Sequence, residues 1–364
     1  MADNSFCDIL NNQSNVFTQN HMEEIQMYFD LSGLWQADIG DGKVYPMQLP
    51  GTLDENRIGH KDLGQNQWHP DAALGNAEEG FNENAPIATR FTRKYTFEGE
   101  ARLTRRISFT PEEGKRVFLE AERARCLRLL VDGKEVPHFS EGSLSTPHVF
   151  EVTGLLNGDN EITLLSDNSY PGLPHDAIVY SSAATDETQT NWNGVLGYLR
   201  LRVEEPVFLS ALRIYPDRDG ETLTVQAEVS ADRFWSGTLL VESGALKKEK
   251  SGAQEYAGYQ KEICVQPGLT RFVLEKLPLA GDVRRWDEEE GNLYELTARL
   301  SAKERQELAS RTETFGVRTF GDNGKGRLAL NGRVIFLRSE ANCCEFPETG
   351  HPPMTVEEWM DVLA

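Results

Sequence analysis

The residue types that most often carry chemistry are all present in this chain, and their spacing removes most of what they could do. Seven histidines could ligate a metal. Six of them, His21, His60, His69, His138, His148 and His175, are scattered, with no HxxxH pair, and His351 stands apart near the C-terminus. The five cysteines are Cys7, Cys126, Cys264 and the adjacent Cys343 and Cys344. An odd number with no CxxC spacing fits neither a zinc site nor the disulfide framework of a secreted scaffold, so reduced thiols are expected. Cys343 and Cys344 read as small apolar side chains at a strand end. Ser166, Asp167 and Asn168 bring a hydroxyl beside a carboxylate, yet no serine sits in a G-x-S-x-G elbow. Neither a metal nor a cofactor is expected. Two glutamates close to a strand end, Glu340 and Glu345, are read as surface carboxylates, because charged side chains mostly sit exposed.

The chain has 364 residues, enough for two or three domains with cores of their own. Its 37 Lys and Arg against 58 Asp and Glu give a net charge of −21, which disfavours nucleic acid and anionic lipid as partners. The charge is dispersed and aromatic residues are plentiful, which argues against disorder. No stretch approaches the ~20 apolar residues of a membrane helix. The first residues, MADNSFCDILNNQSNVFTQNHMEE, carry acids and amides where a signal peptide has a basic start and an apolar run, so a cytoplasmic protein is expected.

The elements that must position any site are short strands. RVFLE at 116–120, LRLLV at 127–131 running into Asp132-Gly133, HVFEV at 148–152, EITLL at 161–165 and YLRLRV at 198–203 follow one another at near-regular spacing. That texture predicts an antiparallel sandwich. After Glu204-Glu205-Pro206 a second series begins, with strands expected at 209–215, 223–229, 237–241, 262–266, 271–274 and 293–300. Its size and strand number suit an immunoglobulin-like sandwich, without the Cys…Trp…Cys spacing of an antibody domain. Beyond Arg318, glycines at 321, 324 and 326 lead to the apolar run 334–337, expected to be a strand buried on both faces of a parallel sheet. Thr355 with Glu358 three residues on predicts a capping box opening a helix.

Several motifs, in order, resemble the family 2 glycoside hydrolases, which include β-galactosidases, β-glucuronidases and β-mannosidases. DLSGLW at 30–35 followed by Leu49-Pro50-Gly51-Thr52 resembles the family's opening strand and proline turn. FTRKY at 91–95, VDGK at 131–134, SLSTPHV at 143–149 and TNWNGVLG at 190–197 resemble further pieces of its sugar-binding domain. Trp286 with Asn292-Leu293-Tyr294 resembles the "W…P-x-L-Y" signature, and Phe315-Gly316-Val317-Arg318 the "F-G-x-R" exit strand. Leu330-Asn331-Gly332 and Phe336-Leu337-Arg338 resemble the strand that begins the catalytic barrel. Four positions depart from the pattern: Gly291 replaces the proline of "P-x-L-Y", Ser339 replaces a glycine, Thr92 follows Phe91 where many relatives have a second aromatic, and no histidine follows Arg338 until His351.

The resemblance implies four segments: an N-terminal extension (1–29), a jelly-roll sugar-binding β-sandwich (30–205), an immunoglobulin-like β-sandwich (206–318) and the first βα unit of a truncated TIM barrel (319–364). It implies a retaining enzyme that removes a terminal β-linked sugar, working through two carboxyls about 5 Å apart. Both glutamates come from later barrel strands, so the chain alone is expected to be inactive, with no catalytic residue of its own. Substrate-binding residues implied by position are Gln189, Asn191 and Trp192 on the loop that reaches the barrel mouth, and Arg338, Glu340 and Asn342, which alternate and so share one side of a strand. Amides offer donors and acceptors to sugar hydroxyls, and an aromatic face suits a sugar's C–H side. A β-linked glycoside is the expected partner, and homo-oligomerisation is compatible with the family. The competing reading is a non-catalytic carbohydrate-binding or scaffold protein built from the same sandwiches. The chain ends within an amphipathic helical pattern, which favours the truncated enzyme. An immunoglobulin-type adhesin fits the sandwiches but not the segment after 318.

Overall fold

The structure is a computed structural model that describes residues 27–61, 95–174, 191–245, 256–279, 282–302, 307–339, 351 and 353–363. It is mainly β and divides into two compact units, one of residues 27–203 with 340–364, the other containing 204–339.

The first unit is built on two facing sheets. One has five strands in the order Met27–Asp30, Leu199–Glu204, Arg116–Ala121, His148–Glu151, His138–Ser140. The other has six, in the order Lys134–Val136, Cys126–Val131, Gly158–Asp167, Glu100–Phe109, Gly33–Asp38, Tyr45–Leu49. Alternation supplies the core: Trp35, Met47, Leu103, Leu129 and Leu164 from the six-stranded sheet meet Val117, Leu119, Phe150 and Leu201 from the five-stranded one in a single cluster. Burying these side chains is what holds the layers together, at roughly 1.5–3 kcal/mol for each large apolar residue.

The strand Arg116–Ala121 is buried along its whole length. Val117, Leu119 and Ala121 face the core, so Arg116, Phe118 and Glu120 project from the other side. There the charges are matched. Arg116 donates two hydrogen bonds of 2.8 Å to the Glu151 carboxylate, and Glu120 accepts from Arg200 Nε at 2.9 Å and Arg202 Nε at 2.6 Å. Phe118 lies under both the Arg116 and Arg202 guanidinium groups.

The second unit pairs a three-stranded sheet (Val207–Pro216, Thr222–Ala231, Gly268–Pro278) with a four-stranded one (Tyr256–Val265, Trp235–Ala245, Tyr294–Ser301, Glu307–Phe315) around its own apolar cluster. Phe320–Asp322, Leu328–Leu330 and Arg333–Val334 form a small antiparallel sheet after it. Here the structure corrects the expectation of a buried parallel strand at 334–337. The ladder partner of Arg333–Val334 is Leu328–Leu330, and the pairing is antiparallel. With no layer over them among the described residues, Val334, Phe336 and Leu337 stand exposed, Phe336 at 86 %. The capping box is present as expected. Glu358 N donates to Thr355 Oγ1 at 3.2 Å, Glu358 Oε2 accepts from Thr355 N at 2.8 Å, and the helix Val356–Leu363 follows.

Candidate functional site

The loop expected to face a sugar begins, among the described residues, at Asn191. Strand pairing fixes its path: Gly194 and Val195 pair with Thr52 and Gly51 of the turn that follows the cis Leu49–Pro50 bond, and Leu53 N donates to Asn193 O at 2.9 Å. Gly194 must be glycine, since its φ of 138° is foreign to L side chains and a Cβ would lie 2.3 Å from the Gly51 carbonyl oxygen.

Three asparagines knot this loop to the strand end at 166–168. Asn191 Nδ2 donates to Asn168 O at 3.1 Å, while Asn168 Nδ2 donates to Asn191 O and to Phe97 O, both at 2.7 Å. Asn193 Nδ2 donates to Gly99 O at 2.9 Å and to Ser166 O at 3.1 Å. All three are buried. Side-chain amides here replace the ladder bonds that an irregular loop cannot make, which is how buried backbone stays satisfied.

Trp192 is also buried, at 6 % exposure. It receives the Arg125 guanidinium over its ring at 4.9 Å, and Arg125 Nε donates to the Trp192 carbonyl oxygen at 2.8 Å. Arg125 also donates to the Tyr170 hydroxyl and lies over that ring. A buried cation is thus held by a carbonyl, a phenol and two aromatic faces. The side chains of Asn191 and Trp192 are thus both buried, the first tied to the Asn168 carbonyl and the second lying against Arg125. Arg338 is exposed in the second unit. Gln189, Glu340 and Asn342 lie outside the described residues, as does Glu345.

Sequence reasoning did not foresee a cleft of ≈ 450 Å³ in the first unit, where the turn after the cis-proline meets the start of the C-terminal helix. Its titratable and charged lining is Glu55, Glu122, Arg123, Tyr198, His351 and Glu358. Burial is the largest influence on Tyr198, pushing its phenol up to about 12. Backbone N–H bonds from Met354 and Thr355 hold the Glu358 carboxyl below its usual range. The six positions are spread from 55 to 358, so no local spacing announces them. Among the described residues, no group of three His, Cys, Asp or Glu could hold a metal, and no helix is long and apolar enough to cross a membrane.

In the second unit the motif residues converge. Tyr294 pairs across the sheet with Phe315, their rings 5.7 Å apart, and its hydroxyl accepts from Arg284 N at 2.7 Å and donates to Arg284 O at 3.1 Å. Trp286 N donates to Val317 O at 2.9 Å, and the Arg318 guanidinium lies 4.6 Å over the Trp286 ring. Gly316 lies beneath the same indole, where a Cβ would come within 3.0 Å of Trp286 Cβ. Asn331 Nδ2 donates to Trp286 O at 2.9 Å and its Oδ1 accepts from Thr319 N at 3.0 Å. These residues, distant in sequence, form one corner.

Residues 207–318 match the family described as Glycosyl hydrolases family 2. A comparison with curated protein sequences returns no match. Among solved structures, the chain is similar to a Bacteroides uniformis β-glucuronidase 2 covalently bound to cyclophellitol-6-carboxylate aziridine, with 18 % identity, a TM-score of 0.67, and coverage of 93 % of this chain and 38 % of that one. It is also similar to a putative β-galactosidase from Bacteroides fragilis (16 % identity, TM-score 0.60, 85 % of this chain, 44 % of that one). A family 2 β-galacturonidase from Eisenbergiella tayi bound to galacturonate matches with 19 % identity and a TM-score of 0.57, over 85 % of this chain and 47 % of that one. The chain therefore spans less than half the length of each of these three proteins. At such identities the structures speak for the fold. The family match itself covers residues 207–318, the second sandwich.

Proposed function

We propose that this chain is the non-catalytic sandwich portion of a retaining family 2 hydrolase that removes a terminal β-linked sugar, of the β-galactosidase or β-glucuronidase kind. In this reading residues 30–205 form a jelly-roll sugar-binding domain, 206–318 an immunoglobulin-like domain, and 319–364 the first βα unit of a (β/α)₈ barrel. The observation that carries it is the family match over 207–318 in a chain spanning 38–47 % of the three similar proteins. The exposed apolar run ending in Phe336 and Leu337 agrees, since a barrel strand is buried only when its neighbours flank it. The acid and the nucleophile belong to later barrel strands, so this chain contributes no catalytic residue. Its share of the sugar pocket is Gln189, Arg338, Glu340 and Asn342, with Asn191 and Trp192 contributing by holding their loop.

The test is hydrolysis of nitrophenyl β-glucuronide, β-galactoside and β-galacturonide by the 364-residue chain. No turnover above buffer is expected, because removing both carboxyls removes the protonation and the nucleophilic attack themselves. Turnover abolished by Glu340→Gln or Glu345→Gln would overturn the assignment. Tight binding of free sugar without turnover would instead favour the carbohydrate-binding protein, since a half-pocket neither buries a ligand nor excludes water.

A further inference from the structure

We propose that the strand Gly268–Pro278 is a self-association edge, to which a second copy of this chain adds the same strand, antiparallel, about a two-fold axis centred on Val273. The strand ends the three-stranded sheet of the second sandwich, so one side of its backbone has no ladder partner. On that side, residues 268–275 make no backbone hydrogen bond to a described residue. The other edge of the sheet is different. Val207–Pro216 lies beside Glu307–Phe315, tied to it by Arg311 Nη1, which donates to Ser210 O at 3.1 Å. An open row of N–H and C=O groups is a template for another strand. Proteins blunt such edges, and here only one end is blunted. Leu277 pairs with Leu223 and Leu274 with Val225, which leaves Glu275 and Lys276 in a bulge opposite Thr224, with Lys276 turned to Asp217 and Asp219. From Gly268 to Leu274 the pairing is regular, and Leu269 and Val273 are 53 % and 48 % exposed.

The side chains choose the partner and the register. Phe272 and Leu274 face the core of the sandwich, so Arg271, Val273 and Glu275 share the outer face. Centring the two-fold on Val273 sets Arg271 of each copy against Glu275 of the other, Phe272 against Leu274, and Val273 against itself. Moving the centre by one residue to Phe272 loses both ion pairs. Moving it by two to Arg271 sets two guanidinium groups face to face. The groups that would pair are ready for it. Glu275 is exposed, and its carboxylate has no hydrogen bond or ion pair with a described residue. Arg271 is 56 % exposed and gives Nη2 to Glu228 Oε2 at 3.1 Å, leaving the rest of its fork for a second carboxylate. Closed two-fold association through one self-complementary patch is the commonest form of oligomer. A net charge of −21 repels a second copy at long range, so an interface between copies needs its local charges matched, as they are here. The edge belongs to the second sandwich alone and does not depend on the hydrolase reading.

The experiment is sedimentation equilibrium of the 364-residue chain from about 1 to about 200 μM, in about 0.15 M salt, where long-range repulsion is screened. A reversible monomer–dimer equilibrium is expected. Arg271→Glu alone and Glu275→Arg alone are each expected to weaken it roughly tenfold or more, because each sets like charges face to face twice. Mixed in equal amounts, the two variants are expected to dimerise again, since every facing pair is then opposite in charge. Far-UV circular dichroism of each variant is expected to match wild type, both positions being exposed. A wild-type chain that stays monomeric, a variant that dimerises as well as wild type, or a mixture no better than its components overturns the proposal. Recovery on mixing supports it and also shows that neither variant had lost its fold.

Discussion

Trp192→Ala removes an indole that is 6 % exposed and that carries the Arg125 guanidinium on its face at 4.9 Å. Two losses add. Truncating a buried tryptophan costs about 3–5 kcal/mol through transfer and cavity terms. Arg125 is itself buried and keeps the Trp192 carbonyl and Tyr170, but loses one of its two aromatic faces, worth about 1–2 kcal/mol in a desolvated setting. Some of that second loss is already counted in the first, so about 4 kcal/mol is expected overall. Asn191→Ala should cost less, about 1–3 kcal/mol, because it leaves the Asn168 carbonyl without its 3.1 Å donor. The assay is urea unfolding of the 364-residue chain followed by far-UV circular dichroism. Two cores imply two transitions, and the one belonging to the first sandwich should move while the other stays. A shift below 1 kcal/mol for Trp192→Ala would refute the reasoning and return the indole to a platform role at the surface.

Three further outcomes are expected. His148 accepts from Gly142 N–H through Nδ1 at 3.2 Å and donates through Nε2 to Arg125 O at 2.9 Å, and burial pushes its pKa down; its contribution is full above about pH 6.5 and is lost as pH falls toward the lowered value, so the first-sandwich transition should weaken from pH 7.5 to 5 and His148→Gln should flatten that dependence. Glu120→Gln removes the anion shared by Arg200 and Arg202 and should cost about 3 kcal/mol, read as a lower urea midpoint of the same transition. Gly194→Ala forces a Cβ to 2.3 Å from the Gly51 carbonyl oxygen at a φ of 138°, and should cost about 3 kcal/mol or abolish soluble expression, with no comparable effect from Gly154→Ala, which has a positive φ but open space around it.

Much of the fold was legible because its strands alternate. RVFLE and LRLLV became the strands Arg116–Ala121 and Cys126–Val131, and the second-unit runs became strands near their expected bounds, with the run at 262–266 beginning earlier, in the strand Tyr256–Val265. Glu100–Phe109 was not read as a strand, because the position in phase with Leu103 and Ile107 is occupied by Arg105. Its guanidinium turns to the carbonyl oxygens of Leu31 and Ser32, at 2.7 and 2.8 Å, so a core-phase residue looks polar. Glu307–Phe315 was missed for a different reason: it is an edge strand, only Phe315 is buried, and its sequence carries almost no apolar period. The site was less legible than the fold. Composition cannot show whether an Asn or Trp on a loop faces a sugar or its own backbone. Asn191 and Trp192 look inward because Asn168 and Arg125, 23 and 67 residues away, meet them there. The motif corner at Trp286 was legible for the opposite reason, since its residues need one another: Gly316 leaves room for the indole and Arg318 covers it.

In the proposed function, two self-sufficient sandwiches are followed by a strand whose burial depends on a barrel. Hydrogen exchange of the monomeric 364-residue chain tests it most directly. Backbone amides of 334–337 should exchange on the timescale of exposed loops, while those of Cys126–Val131 and Thr222–Ala231 stay protected to the level of global unfolding. Protection of 334–337 equal to that of Cys126–Val131 would contradict the claim, because the run would then already lie inside a core of this chain.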